Sequence, residues 1–258
     1  MPVIYTEPSD LTESIATTEL QQRLINYIQS GRENVASKKM LQVSTYLENL
    51  TIKNVLDIGS WHLKQTLELL SAFPNCKVHA FEPAPDNFEL CRKTHMSLGS
   101  ELGNRIKIWK VAVGSKNGPM EFYVIDESLG DSNAGAASRY KFKPGKNGSF
   151  YNQSWIQKPV TVQEMKLDDW QKLYKIDPVD LIWIDVQGGE LEVFRGAENL
   201  LKDVKIIFSE VGLEAYYEGQ GLKPQIDEFL MNLGFKEITE AFELNGFDYE
   251  GNTVYVRY

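Results

Sequence analysis

Four apolar runs in this 258-residue chain each close on a carboxylate. They are Val55-Leu56-Asp57, His79-Ala80-Phe81-Glu82, Leu181-Ile182-Trp183-Ile184-Asp185 and Ile206-Ile207-Phe208-Ser209-Glu210. Carboxylates gathered on one rim can grip hydroxyls, take protons or hold a cation. The first two are spaced for a nucleoside. Gly59 lets the backbone turn close to a ligand, and the helix start beyond it favours an anionic group. Glu82 stands 23 residues beyond Gly59, where an acid commonly takes both ribose hydroxyls. The bland alternative makes Asp57 a turn cap and Glu82 a residue that merely precedes Pro83. Two such acids on adjacent strands favour the nucleoside site.

Each run is flanked by helix-like patterning, so the runs read as parallel strands buried on both faces. Ligands of an open parallel sheet sit beyond the carboxyl ends of its strands, which puts all four acids on one edge. A strand near Asn54–Ile58 leads to a helix carrying Leu63, Leu67 and Leu70, and a strand near Lys77–Phe81 to one with Phe88 and Cys91. A third strand lies near Ile106–Val113. Alternation resumes with Asp180–Ile184, a helix over Leu191, Phe194 and Leu200, the strand Lys205–Ser209 and a helix on Ile226, Phe229, Leu230 and Leu233. The pattern predicts an α/β fold with a doubly wound, mostly parallel sheet and right-handed crossovers. Phe235–Thr239 and Thr253–Tyr258 read as a C-terminal antiparallel strand pair, joined through Asn245-Gly246 and Glu250-Gly251-Asn252 turn chemistry.

Residues 1–50 are expected to form a polar arm and N-terminal helices, with stripes of Leu20, Leu24, Tyr27 and Ile28 and of Met40, Val43, Leu47 and Leu50. One α/β domain is expected over 51–258. Within it the alternation breaks after strand-like Glu121–Ile125, at a Gly/Ser/Asn-rich insertion of about 126–158. Loops this long are usually lids or disordered. Tyr140, Phe142, Phe150, Tyr151 and Trp155 favour a lid or substrate loop, because they give it something to bury.

With 42% hydrophobic and 24% charged residues the composition is that of a globular protein, and the net charge of -9 argues against a nucleic-acid partner. The basic strip Arg139-Tyr140-Lys141-Phe142-Lys143 could meet an anionic substrate, but the favoured reading is a solvated loop. Cys76 and Cys91 stand alone, without CxxC spacing, which fits a reducing, cytoplasmic setting rather than a disulfide or zinc scaffold. The first residues lack a signal-peptide pattern, and no run approaches the ~18 apolar residues of a membrane span. His79 is expected in the core and His95 in surface or core duty. His62 sits in the loop after Gly59.

Val55-Leu56-Asp57-Ile58-Gly59, Phe81-Glu82-Pro83 and Ala112-Val113-Gly114 resemble the cofactor half of class I S-adenosylmethionine-dependent methyltransferases. Leu167-Asp168-Asp169-Trp170, Asp180 through Glu190 and Leu191-Glu192-Val193-Phe194-Arg195-Gly196-Ala197 resemble the signature of FkbM-type methyltransferases. That family is associated with O-methylation of hydroxyls on sugars and natural products. The resemblance implies a seven-stranded Rossmann-like sheet and an S-adenosylmethionine site. The cofactor would lie against Asp57, Gly59, Ser60, Trp61, Glu82, Pro83, Ala112, Val113 and Asp185. The acceptor would be a small molecule or glycan.

Asp185 and Glu210 would then serve the reaction, either as base or as a pair holding a divalent cation such as magnesium that lowers the hydroxyl pKa. Glu190 is a supporting carboxylate in a first helical turn. The chain departs from the family at Trp61, at Leu63 (where a second glycine is usual) and at Trp183 and Gln187. Leu63 either crowds the cofactor or points into the sheet, leaving Lys64 or Thr66 to meet it. A weakened, binding-only module is therefore the competing reading. A nicotinamide enzyme fares worse, since only Gly59 survives of G-x-G-x-x-G.

Overall fold

Runs of branched and aromatic side chains, buried on alternate sides, build a central sheet. The structure is a computed structural model that describes residues 3–5, 35–43, 46, 50–126, 128, 133–143, 155–244 and 249–257. Its strands are β1 (Val3–Tyr5), β2 (Asn54–Ile58), β3 (Lys77–Phe81), β4 (Ile106–Lys110), β5 (Ala112–Val113), β6 (Gly118–Ile125), β7 (Gln157–Met165), β8 (Leu181–Ile184), β9 (Ile206–Gly212), β10 (Lys236–Glu237), β11 (Glu243–Leu244) and β12 (Glu250–Val256). The helices are α1 (Val35–Gln42), α2 (Lys64–Ala72), α3 (Pro85–Ser97), α4 (Ser100–Gly103), α5 (Leu167–Tyr174), α6 (Glu190–Arg195) and α7 (Lys223–Asn232).

The main sheet runs β1-β4-β3-β2-β8-β9-β12-β10, with β11 added against β12. From β4 to β9 the strands are parallel, and β12 enters antiparallel between β9 and β10. The expected seven-stranded, doubly wound sheet is therefore present, extended by the short β1 and β11. Successive strand residues divide between two cores, as a period of two requires. Val55, Ala80, Leu181 and Phe208 pack with Leu69 of α2 and Phe88 of α3. Leu56, Phe81, Ile182 and Ile207 pack with Trp170 of α5, Phe194 of α6 and Leu230 of α7. Each fully buried side chain of this size contributes roughly 1.5–3 kcal/mol of transfer free energy.

Local signals set the helix ends. Pro85 and Asp86 open α3, where a missing N–H and a negative charge both suit the first turn. In α7 the Gln225 side chain accepts from the Leu222 N–H at 2.9 Å. Glu68 of α2 accepts from the backbone N–H and the hydroxyl of Ser37, both at 2.8 Å, and so holds the first turn of α1. Of the second stripe, Met40 lies in α1 and Val43 just beyond it, both buried, while Leu50 is outside any helix; Leu47 and the Leu20–Ile28 stripe lie outside the described residues.

Three expectations are corrected. The single strand near Ile106–Val113 divides at Val111: β4 stays in the main sheet, while β5 joins a second sheet of order β5-β7-β6. β7 falls partly in what read as loop, because Lys158-Pro159 interrupts its alternation. Its register against β6 is continuous from Gly118↔Glu164 to Ile125↔Gln157. Finally, Gly251 and Asn252 sit inside β12 rather than in a turn. A Cβ on Gly251 would stand 2.7 Å from the Glu243 carbonyl oxygen, so glycine there permits the close approach of β11. Asn245-Gly246 lies outside the described residues. No helix among the described residues is long and apolar enough to cross a membrane.

Candidate active site

β2 and β8 are neighbours at the point where the winding of the sheet reverses, and a cleft opens beyond their carboxyl ends. Such switch points are where α/β sheets take ligands. Gly59 has φ +91°, and a Cβ there would lie 1.8 Å from the Asp185 carbonyl oxygen. Only glycine lets the β2 loop pass beneath the β8 loop. Its N–H and that of Ser60 both donate to the Phe81 carbonyl at 3.0 Å, which ties the loop to β3.

Glu82 lines the cleft and accepts from the Trp61 N–H and the Ala84 N–H, both at 2.9 Å. Burial raises its pKa to about 8, against the lowering effect of those two bonds. Trp61, with φ +45°, also lines the cleft. Asp57 does not. Its carboxylate accepts from the Thr66 hydroxyl, burial raises its pKa to about 7, and Oδ1 is buried without a partner among the described residues. A buried acceptor left open in this way suits a donor on a bound ligand. Ser60 is also buried, and its hydroxyl donates to the Asp57 carbonyl at 2.8 Å. Leu63, with φ +69°, is fully buried in the core that contains Leu69 and Val55, away from the cleft.

Asp185 lines the cleft and Glu210 is its neighbour on β9. The Gln187 Nε2 stands between them, donating to Asp185 Oδ1 at 2.8 Å and to Glu210 Oε2 at 2.7 Å. Burial and the Asp185 charge push Glu210 well above the usual carboxylate range. Burial also raises Asp185, while donors from Gln187 and Glu210 favour its charged form. Burial and mutual repulsion therefore disfavour both members being charged at once. The pair does not fit the expected divalent cation, because a donor amide bridges the two carboxylates. Among the described residues, no group of three or more His, Cys, Asp and Glu side chains is placed to hold a metal.

A short roof covers the cleft. Ala134–Ala136 forms one 3-10 turn, in which Gly135 packs against the Trp61 indole and the Ala134 carbonyl accepts from Asn87 Nδ2 at 3.1 Å. Ser138 is fully buried, exchanges backbone hydrogen bonds with Tyr123 of β6, and donates its hydroxyl to the Gln187 carbonyl at 2.7 Å. Arg139 lines the cleft and pairs with Glu164 of β7 at 3.1 Å, so the solvated-loop reading of this residue is corrected. The described part of the insertion covers the cleft through these contacts.

The structure brings Gly59, Trp61, Glu82, Pro83, Ala112, Val113 and Asp185 into one lining, with Asp57 and Ser60 in the layer beneath. Glu190 is buried and braces the β8 loop by accepting from Val186 N–H at 3.0 Å and Gly188 N–H at 3.3 Å. Of the histidines, His79 is core: its Nδ1 accepts from Trp109 Nε1 at 3.3 Å, and burial lowers its pKa to about 3. His62 stacks beside Trp61 outside the lining. Asn87, Arg139 and Gly189 line the cleft unanticipated. For Arg139 the signal was present in the basic strip, whereas Asn87 had only its place in the first turn after Glu82-Pro83.

Comparison with known proteins agrees with this geometry. Residues 54–237 match the family model described as the Methyltransferase FkbM domain. The 2-O-methyltransferase NoeI of Sinorhizobium fredii is 29% identical over 201 residues, covering 78% of this chain and 80% of that protein. The methyltransferase sdnD of Sordaria araneosa is 24% identical over 199 residues, covering 70% and 73%. A solved O-methyltransferase from Bacillus cereus in complex with SAH aligns over 94% of this chain and 92% of its own, at 12% identity and TM-score 0.46.

Proposed function

The chain belongs to the FkbM methyltransferase family, and we propose that it is an S-adenosylmethionine-dependent O-methyltransferase acting on a hydroxyl of a small molecule or glycan. The observation that carries the reading is Glu82. This buried carboxylate lines the cleft, is held by two backbone N–H groups, and keeps lone pairs for a diol. Gly59 keeps the space between Glu82 and Asp185 clear of a side chain, and the open Asp57 Oδ1 suits the donor that an amino group would supply. Leu63, packed into the core, supports this reading over a weakened binding module.

Bound there, the cofactor supplies an electrophilic methyl on a sulfonium. The protein's part is to orient the acceptor hydroxyl, exclude water and take its proton. Asp185 is the proton acceptor, since it lines the cleft and receives donors that favour its carboxylate form. Glu210 stands beside it as the protonated partner. Asp185 would take the hydroxyl proton as that oxygen receives the methyl group, with the demethylated cofactor as the other product. An acid pair at this point disfavours an anionic acceptor group and favours a neutral hydroxyl. The relative named as a 2-O-methyltransferase supports transfer to oxygen.

Calorimetry with S-adenosylmethionine and its demethylated product, followed by labelled methyl transfer to a panel of hydroxylated acceptors with and without chelator, tests the reading. Micromolar binding is expected, with Glu82→Gln weakening it at least about tenfold, as loss of a charge-assisted hydrogen bond predicts. Turnover is expected to survive chelation. Absence of heat with both ligands would overturn the proposal.

A further inference from the structure

The Gln187 side chain touches both the acid pair and a group fixing the roof loop. Its amide nitrogen spends both N–H groups on Asp185 Oδ1 and Glu210 Oε2, at 2.8 and 2.7 Å. Its amide oxygen accepts from the Tyr217 hydroxyl at 3.0 Å, and that hydroxyl also reaches the Ala136 carbonyl of the roof at 3.4 Å. Its backbone carbonyl accepts from Ser138 at 2.7 Å. Turning the amide over would point N–H groups at a hydroxyl donor and set an oxygen against two carboxylates, so one orientation is fixed.

The backbone here is strained. Gln187 has φ +53°, a left-handed conformation that costs a non-glycine residue about 1–2 kcal/mol, and Gly188 follows at φ +92°. Tyr217 is itself held, because its N–H and that of Tyr216 both donate to Gln220 Oε1, at 3.2 and 2.8 Å. Strain kept at a position that joins two working parts points to a mechanical role.

We propose that Gln187 is a positioning residue that locks the Asp185–Glu210 pair to the roof, so that the acids are held in place only while the roof is down. The proposal rests on the reading of Asp185 as proton acceptor, but the linkage itself can be measured without an acceptor. When the roof lifts, Gln187 loses its Ser138 contact and the Tyr217 hydroxyl loses Ala136, so the amide that bridges the carboxylates is left with Tyr217 alone to orient it. Proton acceptance is then confined to the covered cleft, where water is excluded.

Amide hydrogen exchange of the full-length chain tests the linkage. Gln187→Met, which keeps the length of the side chain and removes its hydrogen bonds, is expected to speed exchange of the Tyr123 and Ser138 amides about tenfold. Glu210→Met, which removes the β9 partner of the Gln187 amide, should speed the same amides about threefold or more, and should do nothing further in the Gln187→Met background. A residue that merely filled space would not carry an effect from Glu210 to the roof. If Gln187→Met does not fold, Tyr217→Phe takes its place in the cycle, with the same expected direction. Unchanged roof exchange in the single variants, or a Glu210 effect that persists without Gln187, overturns the proposal. On an acceptor found by the methyl-transfer panel, Gln187→Met should lower kcat about tenfold or more with KM within about threefold. Failure of cofactor binding would sink the functional reading and leave the exchange result standing on its own.

Discussion

At the scale of single residues, backbone conformation decides what the cofactor loop presents. Gly59 gives the β2 loop its passage beneath Asp185, while Trp61 and Leu63 take left-handed conformations without being glycine. Leu63 occupies the place of the family's second glycine, and its side chain is fully buried beneath the loop. Two effects compete in Leu63→Gly. Removing the strained φ gains about 1 kcal/mol, and emptying a leucine-sized site loses about 3–5 kcal/mol. The loss wins. Leu63→Gly is therefore expected to destabilise the chain by roughly 2–4 kcal/mol in denaturant titrations and to leave cofactor affinity no higher than before. A tighter-binding Leu63→Gly would mean that the side chain crowds the cleft after all.

At the scale of elements, the small β5-β7-β6 sheet explains why the roof stays in place. The β6–β7 ladder supplies Tyr123, which pairs with Ser138, and Glu164, which holds Arg139. Gly114 and Gly189 leave the slot through which Arg139 runs, since a Cβ on either would fall within 3 Å of that side chain. Arg139→Met keeps the stem and removes the ion pair, leaving the buried Glu164 without its cation. A loss of about 2–4 kcal/mol is expected in equilibrium unfolding, since a charge stranded in a buried pair costs more than the pair contributes. Adding Glu164→Gln should recover part of it. The motif residues that make this site, from Asp57-Ile58-Gly59 to Phe81-Glu82-Pro83, are local in sequence and were legible there. β7 was not, because Pro159 and its polar neighbours hide a strand that only pairing with β6 reveals.

At the scale of the whole molecule, the rim concentrates buried acids. Burial raises Asp57 to about 7, Glu82 to about 8 and Glu190 to about 7. Each therefore binds protons in the folded chain that the unfolded chain, with carboxyls near 3.8–4.5, has already released. Their contribution is complete below that range and is lost as pH rises through 7–8. His79 works the other way: its folded pKa of about 3 lies below the ordinary 6.5, so its contribution is complete above 6.5. Above pH 6.5 the acids alone set the slope. The unliganded protein is expected to lose on the order of 2 kcal/mol between pH 6.5 and 8.5, a fall in Tm of roughly 4–8 °C by scanning calorimetry. A flat Tm over that interval would show these acids to be ionised throughout. The sequence alone determined the winding of the sheet, the rim that carries the four acids and the cleft lining from Gly59, Trp61, Glu82 and Asp185. Those follow from hydrophobic period, chain order and short motifs, all properties of neighbouring residues. Tertiary structure alone decided that Arg139 enters the cleft, that Leu63 leaves it, and that Gln187 stands where a cation was expected. Each depends on which distant residues a side chain meets, and no spacing along the chain records that.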